Sequence, residues 1–128
     1  MFERAEAGAG AVPSTIAQLK GAEGKPHSYT VLVNGGIVAC AGIVQYWGGR
    51  GEAWAIINKL SKRQFLVLHR VVKNYLDQAP FHRVEATVFK AFENGHRWMK
   101  TLGFTLEAET LKAYSENKQD YSLYARVK

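Results

Sequence analysis

Four side chains in this chain have the chemistry to move a proton: Glu52, Glu85, His69 and His96. Both glutamates sit in apolar, strand-like runs, where a low-dielectric setting raises a carboxylate pKa towards the range of a general base. A strand-end glutamate is also commonly just solvated, and that alternative stays open. His69 and His96 fall inside helical patterns and read as surface or hydrogen-bonded residues. A second group, Lys59, Ser61, Lys62, Arg63 and Gln64, suits a different task. It crowds the start of a helix, where unpaired N–H groups and partial positive charge favour anions. Cations are disfavoured by the dipole at that end. A pyrophosphate or other anion would account for three of them, unless the side chains simply splay into water. The junction has no glycine, although phosphate loops usually use glycine to bring backbone close to the ligand.

Other chemistries find little support. No His, Cys, Asp or Glu spacing matches a metal site, so no metal is expected, and no Gly-x-Ser-x-Gly or nucleophile-triad pattern occurs. The single cysteine, Cys40, lies in an apolar run and reads as a small core residue. One cysteine permits no intramolecular disulfide, which suits a reducing compartment.

These groups need elements to position them. Ser28–Val33 reads as a strand, Asn34-Gly35 as a two-residue hairpin turn, and Ile37–Tyr46 as a returning strand buried on both faces. Gly48-Gly49-Arg50-Gly51 makes a turn into a third strand, Glu52–Ile57. Ser61 followed by Gln64 is a capping-box pattern. Beyond it Phe65, Leu68, Val72 and Leu76 recur at helical spacing, with Leu66, Val67, Val71 and Tyr75 widening the apolar face. Pro80 ends that helix. Arg83–Phe89 reads as a strand and Glu93–Leu102 as a short helix. In that helix Trp98 and Leu102 share a buried side, and Gly103 stands where a left-handed residue closes the last turn. Thr105–Tyr114 and Asp120–Arg126 form a closing hairpin. Near the start, Pro13–Leu19 reads as a short helix stopped by glycines. Trp47, Trp54 and Trp98 read as core.

A chain of 128 residues with 47% apolar content is long enough for one domain with a real core. No apolar run reaches 18 residues, so no membrane span is expected. The net charge of +6 comes entirely from residues 59–100, which hold nine Lys/Arg and three Asp/Glu. Such a basic centre would attract a phosphorylated small molecule, an acidic protein or nucleic acid, although no nucleic-acid recognition motif supports the last.

With these residues in place, the chain resembles the GNAT superfamily of acyl-CoA-dependent N-acyltransferases over residues 28–126. The resemblance rests on Gly51-Glu52-Ala53-Trp54, on Arg97-Trp98 with Leu102-Gly103-Phe104, and on the tail Asp120-Tyr121-Ser122-Leu123-Tyr124-Ala125-Arg126. Within that superfamily it looks most like small proteins of short-tailed bacteriophages, some of them acetyltransferases and others internal virion proteins. The resemblance implies an α/β (α+β) fold with a mixed, mostly antiparallel central sheet and helices on both faces. Residues 28–128 would be the core of a single domain, 1–27 part of an N-terminal helical region, and the family's first strand and helix would be missing.

The resemblance also assigns roles. The strand at Trp54–Ile57 would splay from its neighbour. The backbone of Trp54, Ala55 and Ile56 would then meet the pantetheine arm of acetyl-CoA. Lys59, Ser61, Lys62, Arg63 and Gln64 would hold its phosphates, and Glu52 or Glu85 would take the proton from an amine substrate. Three departures oppose activity: Leu60-Ser61-Lys62-Arg63 replaces the glycines of the phosphate loop, Met99 the usual tyrosine, and Phe92 the usual asparagine. They leave open a catalytically silent virion or assembly module, located in the host cytoplasm or in the virion. A second copy of the chain, completing the sheet edge as a homodimer, is also compatible.

Overall fold

The computed structural model describes residues 2–4 and 27–128; the helix expected at Pro13–Leu19 lies outside the described residues. Seven strands and two helices follow in the order β1 (Phe2–Arg4), β2 (Ser28–Val33), β3 (Gly36–Trp47), β4 (Arg50–Ile57), α1 (Lys62–Gln78), β5 (Arg83–Phe89), α2 (Glu93–Thr101), β6 (Thr105–Leu111) and β7 (Tyr121–Val127). The strand order is β2-β3-β4-β1-β5-β7-β6, mixed and mostly antiparallel. β1 is the unexpected member. Three residues long, it falls between β4 and β5 in the strand order and was not among the strands read from the sequence.

The chain divides into two compact units, with β3 and β4 contributing to both. In the unit of residues 4–43 and 55–79, β2 and β3 pair antiparallel from Ser28–Gly42 to Val33–Gly36. Asn34 and Gly35 both have positive φ, the requirement of a tight hairpin turn whose twist matches its strands. Helix α1 packs on β2 and buries Leu68 and Leu76, and Tyr75 meets Tyr29 edge to face while its hydroxyl bonds His27 at 2.8 Å. Ser61 and Gln64 form the reciprocal capping box. Ser61→Ala is expected to cost about 1 kcal/mol, read as a lower midpoint in urea denaturation, because the Gln64 N–H loses its acceptor.

In the unit of residues 44–54 and 80–128, which takes in residues 2 and 3, β5 pairs with β7 along its whole length and β7 with β6, all antiparallel. Helix α2 packs on β5 and buries Trp98 and Met99. The approach is close at Gly95, where a Cβ would lie 2.6 Å from the Phe92 ring and 2.8 Å from Val88. The helix ends as its sequence implies. Gly103 has φ +91, the Phe104 N–H donates to the Met99 carbonyl, and the Gly103 N–H donates to that of Lys100.

Two burial expectations fail. β3 is buried only at Val38–Ala39 and Gly42–Ile43, with Cys40 half-buried and Val44–Trp47 exposed. Trp47 is 58% exposed rather than core, and Trp54 is half-buried, while Trp98 is buried as expected. An apolar run marks a strand but does not say which of its residues will find a covering layer. No helix among the described residues is long and apolar enough to cross a membrane.

Candidate functional site

The strands that carry the two glutamates are neighbours. β4 and β5 run parallel with Arg50 opposite Arg83, Gly51 opposite Val84, and Glu52 opposite Glu85. Side chains alternate along a strand, so both arginines and both glutamates share one face of the sheet. The Gly49 carbonyl fixes this end by accepting the N–H groups of His82 and Arg83 at 2.9 and 3.0 Å.

On that face a chain of charges forms. Glu85, 8% exposed, accepts from Arg50 Nε at 2.5 Å and from Arg83 Nε at 2.9 Å through the same oxygen, Oε2. Arg83 also forks onto Glu107 of β6, Nη1 to Oε2 at 3.0 Å and Nη2 to Oε1 at 2.6 Å. Arg50 lies over the rings of Tyr46 and Trp47, 5.0 and 4.5 Å from their centroids. The Tyr46 hydroxyl donates to Glu52 Oε2 at 2.8 Å.

The electrostatics separate the two glutamates. The Arg50 hydrogen bond, helped by Arg83 and opposed by burial, holds the Glu85 carboxyl below its usual range. Its apolar strand was expected to do the reverse; a charge-assisted bond outweighs desolvation when the cations are this close. Glu85 is therefore a weak proton acceptor and an anchor for two guanidinium groups. Glu52 is half-buried and bonded only to a phenol among the contacts described. Burial, then the bond to Glu52, pushes the Tyr46 phenol up to about 12, so it stays protonated and donating. Tyr114 is raised as well, by burial and then by the charges of Glu52 and Glu85. Arg50, Arg83, Tyr46, Tyr114 and Glu107 escaped the sequence reading. The only signal was the repeated Arg-x-Glu of Arg50-Gly51-Glu52 and Arg83-Val84-Glu85, which points both pairs to one face if the strands are adjacent.

The pairing of β4 with β5 covers these three rungs. β5 continues to Phe89 and β4 to Ile57, but Val88 of β5 is paired in parallel with Phe2 of β1. Thr87 of β5 has a buried hydroxyl oxygen with no hydrogen-bond partner. Of the residues assigned to pantetheine, Ala55 is buried, Trp54 half-buried and Ile56 exposed.

At the start of α1, Lys59, Lys62 and Arg63 are exposed. Ser61 and Gln64 are committed to each other: the Gln64 N–H donates to Ser61 Oγ at 3.2 Å and the Ser61 N–H to Gln64 Oε1 at 2.9 Å. The helical ladder begins with the Phe65 N–H on the Ser61 carbonyl. Helix geometry directs the N–H groups of Lys62 and Arg63 out of the helix end. Backbone and cations, rather than the cap side chains, are the groups suited to an anion.

The histidines lie outside this arrangement. His96 Nε2 bonds the Lys90 carbonyl at 2.8 Å and Nδ1 the Tyr124 hydroxyl at 2.7 Å, a satisfied structural residue. His69 on α1 is half-buried, and burial, then Lys73, lowers its pKa. No cluster of three His, Cys, Asp or Glu suited to a metal occurs among the described residues.

The architecture is that of the GNAT acetyltransferases. A GNAT-family acetyltransferase from Streptococcus pneumoniae superposes with a TM-score of 0.62 at 15% identity, covering 79% of this chain and 66% of that one. Ard1 from Thermoplasma volcanium gives 0.66 at 15% identity, covering 79% and 70%. The microcin C7 self-immunity acetyltransferase, solved in complex with acetyl-CoA and AMP, gives 0.64 at 13%, covering 79% and 60%. The chain thus spans about two thirds of the length of the proteins it is similar to. At these identities the likeness is one of fold. No protein-family model and no curated protein sequence matches the chain.

Proposed function

We propose that the chain is an acyl-CoA-dependent N-acyltransferase that moves an acetyl group from acetyl-CoA to an amine. The observation that carries this reading is that β4 pairs with β5 over three rungs only and then runs on through Trp54–Ile57 into the cationic start of α1. An amide-bearing pantetheine arm suits the backbone of Trp54, Ala55 and Ile56, since N–H and C=O groups of an extended strand pair with extended amides. The same ribbon of chain then runs straight into the start of α1, where Lys59, Lys62, Arg63 and two outward N–H groups suit the phosphates.

The reaction is direct transfer. The amine lone pair attacks the thioester carbonyl, the carbon–sulfur bond breaks, and the pantetheine sulfur leaves as thiolate while an amide forms. The amine proton passes to Glu52, directly or through water. Glu85 is a poor choice for this, since two guanidinium groups already stabilise its charged form. The thiolate is a tolerable leaving group without a dedicated acid, because a thiol pKa of about 8.5 lies close to neutrality.

A ligand that binds only the folded chain stabilises it by mass action, about 2.7 kcal/mol at one hundred times Kd. Millimolar acetyl-CoA is expected to raise the melting temperature, and Lys62→Glu with Arg63→Glu to abolish the rise. No rise with the unaltered chain, or one untouched by the charge reversal, rejects the assignment of the phosphate site.

A second reading, a silent GNAT-fold module in a bacteriophage particle, is favoured by the exposed Val44, Tyr46 and Trp47 beside Arg50. Together with the basic centre they would suit an acidic protein or packaged DNA. Salt-sensitive DNA retention with no response to acetyl-CoA would select it.

A further inference from the structure

Arg50 is only partly used by the contacts that hold it. Its Nε donates to Glu85, and its guanidinium plane lies over the Tyr46 and Trp47 rings. Neither Nη group has a partner among the described residues, and the side chain is 29% exposed. Arg83 differs, since both of its Nη groups end on Glu107. A guanidinium fixed through Nε and stacked on two rings presents its remaining N–H groups as a rigid fork, the geometry that recognises a carboxylate. Two residues on, about 7 Å along the same strand face, stands Glu52. Its Oε2 takes the Tyr46 hydroxyl, and its Oε1 has no partner among the described residues. All of these groups belong to the unit of residues 44–54 and 80–128. Three carboxylates, Glu52, Glu85 and Glu107, face two guanidinium groups there, and Glu52 is the one that no cation among the described residues meets. An unneutralised carboxylate beside an unspent guanidinium fork suits a ligand whose ammonium and carboxylate lie close together. Apolar walls come from Trp47, 58% exposed, and from Tyr114, whose phenol is raised by burial and then by the charge of Glu52.

We propose that this face is the acceptor site of the transferase and that the acceptor is an amino acid with an apolar or aromatic side chain. The inference rests on the acyltransferase reading above and names its substrate class. The substrate carboxylate takes the Nη fork of Arg50, the amine faces Glu52, and the side chain lies against Trp47 and Tyr114. An amine without a neighbouring carboxylate leaves the fork unpaired, so the site discriminates against simple amines and amino-acid amides. Transfer yields an N-acetyl amino acid and free thiol. Of the two protons that the ammonium sheds, one reaches solvent through Glu52 and the other ends on the leaving thiolate.

The test is titration calorimetry with L-phenylalanine, L-phenylalaninamide and 2-phenylethylamine, with and without coenzyme A, on the parent chain and on Arg50→Lys. L-Phenylalanine is expected to bind the parent about tenfold more tightly than the amide or the amine, the effect of one hydrogen bond to a charged group. Arg50→Lys keeps a cation beside Glu85 but loses the planar fork, and is expected to bind all three probes alike. A merely structural role for Arg50 would weaken the three together and leave their ratio unchanged. Equal affinities in the parent, no binding of L-phenylalanine, or a preference that survives Arg50→Lys overturns the inference. If Arg50→Lys loses its cooperative melt, the ratio in the parent decides alone. Acetyl transfer to all three probes at equal rates keeps the transferase and overturns the amino-acid site. Selective binding of L-phenylalanine by a chain that does not respond to acetyl-CoA rejects the transferase, and the acceptor role with it.

Discussion

Replacing Arg50 and Arg83 together by methionine is expected to cost about 3 kcal/mol of folding stability at neutral pH, because it strands Glu85 without a cation. Glu85 is nearly covered, and both charged bonds it receives end on one oxygen. Either arginine alone still holds the carboxylate, so each single change is expected to cost about 1.5 kcal/mol, the scale of one hydrogen bond to a charged group. Methionine keeps the apolar stem in place, which separates loss of charge from loss of packing. Glu107 also loses its partner but is largely solvated, and exposed pairs contribute little. Adding Glu85→Gln to the double variant is expected to restore much of the stability, since the stranded charge is then gone. If urea denaturation shows the double variant within 1 kcal/mol or so of the parent, the charge chain is decorative.

The same cluster fixes the direction of a pH dependence. In the parent protein the Glu85 pKa is depressed, mainly by Arg50. The unfolded chain therefore binds more protons than the folded one across that range, and stability rises with pH. The contribution is present above the ordinary carboxylate pKa and is lost as pH falls through the lower folded value. Without the arginines, burial alone acts and raises the pKa, so the slope from this residue changes sign.

Leu68→Ala is the second large effect, about 2–5 kcal/mol. The side chain is 0% exposed, and its removal leaves a cavity. Leu66→Ala, two residues earlier and 57% exposed, is expected to stay within about 0.5 kcal/mol. Thermal and urea unfolding of the pair would check the orientation of the helix, since a rotated α1 would reverse the order. Both leucines belong to the apolar face drawn from sequence. Periodicity identifies a broad stripe, but its edge residues are covered only if a neighbour reaches them.

Where the information was local, the sequence could be read in detail. Asn34-Gly35 specified its turn through positive φ, Ser61 with Gln64 specified the start of α1, and Leu102-Gly103-Phe104 the end of α2. A splay of β4 from β5 was expected only through the likeness to a known fold. Glu52 and Glu85 were picked out as a pair, but their difference in character was not visible. It depends on Arg50 and Arg83, whose proximity follows from a parallel register made by residues more than thirty positions apart. β1 lay beyond reach for another reason. Three residues are too few to display a period of two.

The carboxylate that ties Arg50 to Arg83 is nearly covered, whereas the cations at the mouth of α1 stand in open water. Mobile salt reaches the second group more readily than the first. Rising ionic strength would thus loosen the grip on a polyanion before it loosens the junction of β4 with β5, so that a salt titration separates the two.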